Sequence, residues 1–169
     1  MTYFCLYKTP SGFSDLRLES DGTFITALLF LGSKDNSKGM MDAIAKGDLP
    51  VFLKLRDWLD SYFKGEDPKP FSLFKMHPQS DFQKKVYDIL LTIPYGETLT
   101  YGDIAKLLMK ESGKKMSAQA VGGAVGKNPL CILVPCHRVV GKDGKLVGYG
   151  GGLKNKSLLL ELEKRNGTK

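Results

Sequence analysis

An α/β unit followed by a mostly α unit with a winged helix-turn-helix is the fold class that this 169-residue sequence predicts. Three observations carry it. Apolar spacing changes along the chain from short strand-like runs to helical stripes. A segment with two prolines and mixed charges, Gly65 to Pro70, reads as the connection between the two regimes. Two short capped helices joined by a turn precede a tight reversal at Asp143-Gly144, where a winged helix-turn-helix has its wing. The expected units are residues 1–78 and 79–169.

In the first unit, Tyr3 to Tyr7, Leu16 to Glu19 and Phe24 to Leu31 read as strands, with Ser11-Gly12 and Asp21-Gly22 supplying turns. Pro50 then opens a helix whose Phe52, Leu55, Leu59, Tyr62 and Phe63 form a stripe that packs on the strands. Trp58 and these aromatics are explained as core. In the second unit Ser80 and Gln83 make a capping-box pair ahead of Phe82, Val86, Ile89, Leu90 and Ile93, and Pro94-Tyr95-Gly96 stops that helix. Thr100 caps a short helix with Ile104, Leu107 and Leu108, and Ser117 caps another that runs to about Val125. The apolar run Cys131 to Val134 reads as a strand, followed by Arg138 to Val140 and, beyond the reversal, by Leu146-Val147. A final helix carries Leu153, Lys156, Leu159, Leu160 and Glu163.

Composition narrows the function classes. The chain lacks a basic N-terminal segment followed by a long apolar run, and it has no stretch that could span a bilayer, so a soluble, unprocessed, cytoplasmic protein is expected. Three cysteines, Cys5, Cys131 and Cys136, without an export signal argue for free thiols rather than a disulfide framework. Cys5 and His77 alone cannot form a four-ligand site, so neither a metal nor a cofactor is expected. The formal net charge is +7, and all of the excess is in the second half: residues 81–169 carry fifteen Lys and Arg against eight Asp and Glu, while residues 1–80 balance at ten each. That is either a solvated face or the footprint of an anionic partner.

Position favours the partner. The second short helix carries Ala118, Gly122, Gly123 and Gly126, although an interior glycine costs about 1 kcal/mol relative to alanine. Close helix packing is one justification; approach to DNA is the other. A helix with side chains is roughly 10–12 Å across, whereas the minor groove is about 6 Å wide, so only a nearly bare helix could lie there. Lys106, Lys110, Lys114, Lys115 and Lys127 cluster in the same region and suit phosphate neutralisation.

The chemistry centres on Val134-Pro135-Cys136-His137-Arg138-Val139-Val140. A buried Cys beside a His can be simple core. The terminal helix, however, puts Glu163 on the face of Lys156, Leu159 and Leu160, where a carboxylate needs a hydrogen-bonding partner, and His137 is the obvious one. A Glu that fixes the imidazole tautomer, and an imidazole that takes a thiol proton directly or through water, would make Cys136 a thiolate nucleophile. A surface carboxylate on a frayed helix end is the plain alternative.

These residues resemble the O6-alkylguanine-DNA alkyltransferases, or methylated-DNA-protein-cysteine methyltransferases. The resemblance runs from about Asp81 to Glu163, through Val121-Gly122-Gly123-Ala124, Asn128-Pro129, Pro135-Cys136-His137-Arg138-Val139-Val140 and Gly148-Tyr149 to Gly151-Gly152-Leu153, in family order and spacing. It implies a ribonuclease H-like N-terminal α/β domain and a monomeric protein acting on double-stranded DNA that contains alkylated guanine. It also implies a single, irreversible transfer of an alkyl group from O6 of guanine, with O4 of thymine as an alternative position, to Cys136. His137 becomes the water-relayed base, Glu163 the residue orienting it, Asn128 the brace of the active-site turn and Tyr101 the phenol that assists the leaving guanine. The DNA- and base-contacting set is Ala118, Gln119, Gly122, Gly123, Lys127, Arg138, Val139, Tyr149, Gly150 and Gly151. Gln119 stands where the family usually has an arginine, Gly150 where some members have serine and Cys131 where some have proline. Three competing readings are a lesion binder without transfer, against which Cys136 argues; a Cys-His-Glu hydrolase, which leaves the lysines and glycine face unexplained; and a transcription regulator with Cys136 as a sensor.

Overall fold

The structure is a computed structural model that describes residues 1–167. Alternation builds the first sheet. In β1 (Tyr3–Tyr7), Cys5 and Tyr7 point inward while Leu6 is exposed; β2 (Leu16–Ser20) and β3 (Ile25–Phe30) bury nearly every residue. The two turns are made where glycine is needed, with Gly12 at φ 102° and Gly22 at φ 106°, a region that residues with a Cβ avoid. β4 (Ile44–Ala45) completes a mixed sheet of order β3-β2-β1-β4, antiparallel except for the parallel β1/β4 pair. α1 (Pro50–Phe63) starts on its proline and buries Phe52, Leu55, Leu59 and Tyr62 of the expected stripe together with Val51, while Phe63 is half-buried.

The outer edge of β3 is not left open. The Leu28 N–H donates to the Pro129 carbonyl at 2.8 Å and the Cys131 N–H donates to the Leu28 carbonyl at 3.0 Å, so the second half of the chain covers an edge that would otherwise invite pairing. One apolar core runs through both halves, from Leu18 and Phe52 to Val121, Val134 and Leu159.

α2 (Asp81–Leu90) is capped by Ser80, whose hydroxyl accepts from the Gln83 N–H at 3.1 Å. The expected reciprocal arm is displaced: the Gln83 side-chain carbonyl takes the Gln79 N–H at 2.6 Å rather than that of Ser80, so the box is half formed. The complete capping box belongs to α3 (Tyr101–Ser112), between Thr100 and Asp103, and Gly113 at φ 70° ends that helix in a left-handed cap. Ser117 caps α4 (Ala118–Gly126) by accepting from the Ala120 N–H at 3.0 Å.

Three expectations about the last third are corrected. Residues 131–134 form a turn, not a strand, because Ile132 has φ 68° and the chain folds back through bonds from the Leu133 N–H to the Cys131 carbonyl and from the Val134 N–H to the Leu130 carbonyl. Arg138 lies in a 3₁₀ turn, Cys136–Arg138, and only β6 (Val139–Val140) is extended, paired in parallel with β5 (Leu99–Thr100). The reversal at 141–145 is real, closed by the Gly141 N–H to the Lys145 carbonyl at 2.8 Å, but Leu146-Val147 forms no return strand. The Val147 carbonyl is engaged by Lys156 and Tyr101 instead, which takes an acceptor a hairpin would need. In α5 (Leu153–Gly167), Lys156, Leu159 and Glu163 are buried as expected, joined by Asn155, whereas Leu153 is exposed and Leu160 half-buried. Among the described residues no helix is long and apolar enough to cross a membrane.

Candidate active site

The chain reaches Cys136 through a turn braced by one side chain. The Asn128 amide donates to the carbonyls of Leu130 at 3.3 Å and Val134 at 2.9 Å, and its oxygen accepts from the Leu130 N–H at 2.9 Å. Asn128 is 1 % exposed, so these bonds are protected from water and hold the turn in one form. Cys136 follows, its N–H on the Val134 carbonyl at 2.7 Å and its side chain at the floor of an open cleft of about 1250 Å³. Tyr101, Ala118, Gln119, Gly122, Tyr149 and Gly150 line that cleft along with it.

The glycines of α4 settle one of the open alternatives. A Cβ on Gly123 or Gly126 would meet nothing within 4 Å, and one on Gly122 would make only ordinary contact with the Tyr101 ring at 3.8 Å. Internal packing therefore does not demand them, and the bare face looks outward. Gly150 and Gly151 are different. A side-chain carbon at Gly150 would run into the Asp35 carboxylate, and one at Gly151 would sit 2.7 Å from the rings of Phe30 and Tyr149. The glycine loop is thus pressed against the N-terminal sheet and its following turn.

Behind the cysteine, His137 is completely buried and its Nε2 lies 2.6 Å from Glu163 Oε2. Nδ1 is buried and has no partner among the described residues, so with Nε2 donating to the carboxylate it is an acceptor left free. Glu163 takes more than the histidine. Tyr62 donates its hydroxyl to Oε2 at 2.6 Å, Arg138 donates Nε to Oε1 at 2.8 Å and a second nitrogen to Oε2 at 3.1 Å, and the Gly96 N–H reaches Oε1 at 3.2 Å. Burial works against the charge of Glu163, but His137 and Arg138 outweigh it and hold its carboxyl far below the ordinary value of 4.5. Burial pushes His137 down from 6.5; the attraction of Glu163 does not fully offset this, because Arg138 and Lys156 repel the imidazolium. The resting histidine is therefore a neutral imidazole beside an ionised carboxylate.

Cys136 itself is lowered from the ordinary thiol value. The Cys131 thiol, in hydrogen-bond contact with it, is the main cause; burial opposes the shift, while the Asn128 amide and Lys38 add to it against Asp35. The Cys131 sulfur also lies 3.0 Å from Asp35 Oδ2. Asp35 is fully buried, is paired with Lys38 at 2.6 Å, and Lys38 reaches on to the Asn128 carbonyl at 3.1 Å. Lys156, expected only as part of a helical stripe, sends its ammonium into the interior, to the carbonyls of Val139 at 2.5 Å, Val147 at 3.3 Å and Gly148 at 3.2 Å, and burial lowers it to about 8. Tyr101 donates to the Val147 carbonyl at 3.2 Å, and burial, followed by Cys136, raises its hydroxyl above the usual phenol value.

The expected residues separate accordingly. Cys136, His137, Glu163, Asn128 and Tyr101 converge on the cleft floor and the wall behind it. Gly123 and Lys127 are exposed on and just after α4. Arg138, expected among the DNA-contacting residues, has its guanidinium on Glu163 and on the Ile93 carbonyl at 2.7 Å and is turned inward. Asp35, Lys38, Tyr62 and the interior role of Lys156 are additions that sequence spacing does not signal. Among the described residues no group of three or more His, Cys, Asp or Glu is placed to hold a metal.

The buried pair ties stability to pH. A histidine whose folded value lies below its unfolded one stabilises the fold above pH 6.5, and that contribution is lost as pH falls, since the unfolded chain then binds more protons. Glu163, also lowered, adds a second loss once pH drops below about 4.5. Denaturant melts of His137→Gln between pH 7 and 5 should show a shallower fall in stability than the parent, whatever the absolute loss; equal slopes would contradict the assignment of a neutral buried imidazole.

Comparison with known proteins accords with this geometry. Residues 81–165 match the family model described as 6-O-methylguanine DNA methyltransferase, DNA binding domain. The chain is 40 % identical over 163 residues to a methylated-DNA–protein-cysteine methyltransferase of Haemophilus influenzae, an alignment covering 96 % of this chain and 86 % of that one. To the protein of the same name in Methanosarcina mazei it is 39 % identical, with 97 % and 98 % covered. Among solved structures, Mycobacterium tuberculosis OGT in complex with DNA superposes with a TM-score of 0.79 at 39 % identity, over 98 % of this chain and 93 % of that one. The chain belongs to the O6-alkylguanine-DNA alkyltransferase family, the methylated-DNA–protein-cysteine methyltransferases.

Proposed function

We propose that this protein repairs alkylated DNA by direct reversal, moving an alkyl group from O6 of guanine to Cys136 in a reaction each molecule performs once. The observation that carries this reading is the position of Cys136 on the floor of a cleft bordered by the outward-facing bare side of α4, with His137 and Glu163 directly behind it. The mechanism follows. An alkyl carbon on O6 is hidden in the base stack, so the nucleotide must be turned out into the cleft, at a cost of a few kcal/mol that a damaged pair reduces. His137 Nδ1, the free acceptor, takes the Cys136 proton through a water, and Glu163 stabilises the imidazolium formed. The thiolate attacks the alkyl carbon as the carbon–oxygen bond breaks, and the electron pair goes to O6. Tyr101 supplies the proton or hydrogen bond that the departing guanine anion needs; its raised pKa keeps it protonated for that task. The thioether has no ionisable proton and is a poor leaving group, which makes the transfer irreversible.

In this reading residues 1–78 are a ribonuclease H-like unit and residues 79–169 the DNA-binding and transfer unit, monomeric in solution. α3 and α4 are the helix-turn-helix and the 141–145 loop stands in place of the wing. Ala118, Gly122 and Gly123 meet the minor groove, Lys127 meets phosphate, and Tyr149, Gly150 and Gly151 close over the base. The Val139 carbonyl keeps one lone pair for the guanine amino group while Lys156 occupies the other. Gln119, exposed at the cleft, fills the gap left in the stack.

Three outcomes test these roles. Cys136→Ser should bind a duplex containing O6-methylguanine yet leave it unrepaired, and Glu163→Gln should slow repair at neutral pH with binding nearly intact; parallel loss of binding and repair in Glu163→Gln would point to collapse of the fold instead. Because Gln119 brings no charge, Gln119→Arg should tighten binding to the alkylated duplex and steepen its salt dependence by about one counterion. Weaker binding by that variant would refute the intercalating role.

A further inference from the structure

Glu163 is served by a donor that the orientation of His137 does not require. Tyr62 stands in the last turn of α1, in the N-terminal part of the chain and 101 residues away from Glu163 in sequence, yet its hydroxyl bond at 2.6 Å ends on Oε2, the oxygen that also faces His137 Nε2 at 2.6 Å. Its ring stacks on Trp58 at 5.5 Å and meets Phe63 and Tyr95 edge-on at 5.4 and 6.0 Å. Tyr62 is 1 % exposed, and a phenylalanine would satisfy that aromatic packing without the cost of burying a hydroxyl. The hydroxyl therefore calls for its own explanation, and among the described residues its hydrogen bond is to the relay carboxylate.

We propose that Tyr62 is a positioning residue of the transfer centre, through which the N-terminal part of the chain sets how strongly Glu163 acts on His137. The proposal rests on the reading of Cys136, His137 and Glu163 as that centre. A phenol bonded to a carboxylate is a short, charge-assisted donor that draws negative charge toward itself. Less of that charge then remains to stabilise an imidazolium, so His137 stays neutral at rest and able to accept the thiol proton. The other charged and titratable groups facing this pair are Arg138 on the same turn as His137, Lys156 on α5 and Tyr95 after α2. Arg138 works in the same direction as Tyr62, and Lys156 adds repulsion to the imidazolium. Tyr62 alone among them comes from the first sixty-odd residues. Its own phenol is held far above the usual value, by burial first and by Glu163 next, so it remains a donor throughout the working range.

The test is the pH profile of single-turnover methyl transfer, with the rate limited by chemistry and the duplex saturating. Tyr62→Phe returns charge to Glu163 Oε2, makes His137 more basic and should move the acid limb of the profile up by roughly half to one pH unit. Tyr7→Phe is the control: Tyr7 is also a buried tyrosine of the N-terminal part, but its hydroxyl is bonded to Asp60 at 2.7 Å rather than to Glu163, and its removal should leave the limb where it is. Tyr62→3-fluorotyrosine keeps the ring and strengthens the donor, so the limb should move down; it also decides the matter if Tyr62→Phe does not fold. An acid limb unmoved by either change at Tyr62, or moved equally by Tyr7→Phe, overturns the proposal. Glu163→Gln separates the two levels. If Glu163→Gln also leaves the profile unchanged, the transfer-centre reading fails; if it alters the profile and Tyr62 does not, only the positioning role fails.

Discussion

Burying an ionised carboxylate costs several kcal/mol unless every lone pair is met by a donor, and Glu163 is 1 % exposed. Five hydrogen bonds meet it: from the Tyr62 hydroxyl on α1, the Gly96 N–H after α2, His137 Nε2, and two nitrogens of Arg138. These donors come from three stretches far apart in the chain, and Glu163 itself comes from a fourth. Loss of any one of the donors would leave the buried charge less fully met. The carboxylate thereby fixes the relative positions of α1, the end of α2, the Cys136–Arg138 turn and α5, and the tautomer of His137 follows from that arrangement.

A second polar knot lies on the other side of the cysteine. Asp35 and Lys38, from the turn after β3, join Cys131, the Asn128 carbonyl and the backbone of Gly150, whose carbonyl accepts from the Asp35 N–H at 3.1 Å. With the pairing of Leu28 to residues 129 and 131, the N-terminal sheet supports both the brace of the active-site turn and the loop that borders the cleft. The first half of the chain is thus more than a covering for the second. It reaches Cys136 through Asp35 on one side and Glu163 through Tyr62 on the other.

Much of this was legible in the sequence because it is local. Most of each helical stripe, the Thr100 and Ser117 caps, and the strand alternation of β1 depend on neighbours a few residues away and appear where spacing places them, although Leu107 and Leu153 of the expected stripes are exposed. Cys136, His137 and Glu163 were legible for a second reason: a carboxylate on an apolar helical face demands a buried partner, and the chain has only two histidines. Spacing was silent where partners are distant. It gave no sign that Arg138 would turn inward to Glu163, that Tyr62 would reach the same carboxylate, or that Asp35 would sit against Cys131. The strand expected over 131–134 failed because apolar content does not distinguish a buried turn from a buried strand. The wing hairpin failed because the Val147 and Gly148 carbonyls are held by the buried ammonium of Lys156. In both places a contact made by tertiary structure overrode a local pattern.

The central claim is that Cys136 becomes the permanent carrier of the alkyl group. The direct measurement is intact-protein mass spectrometry after incubation with an excess of duplex containing O6-methylguanine, followed by peptide mapping. The account predicts one added methyl group per protein molecule, located on the sulfur of Cys136, with no further gain on longer incubation. An unchanged protein mass while the DNA is repaired, or a methyl group found on Cys131, Cys5 or any other residue, would contradict it.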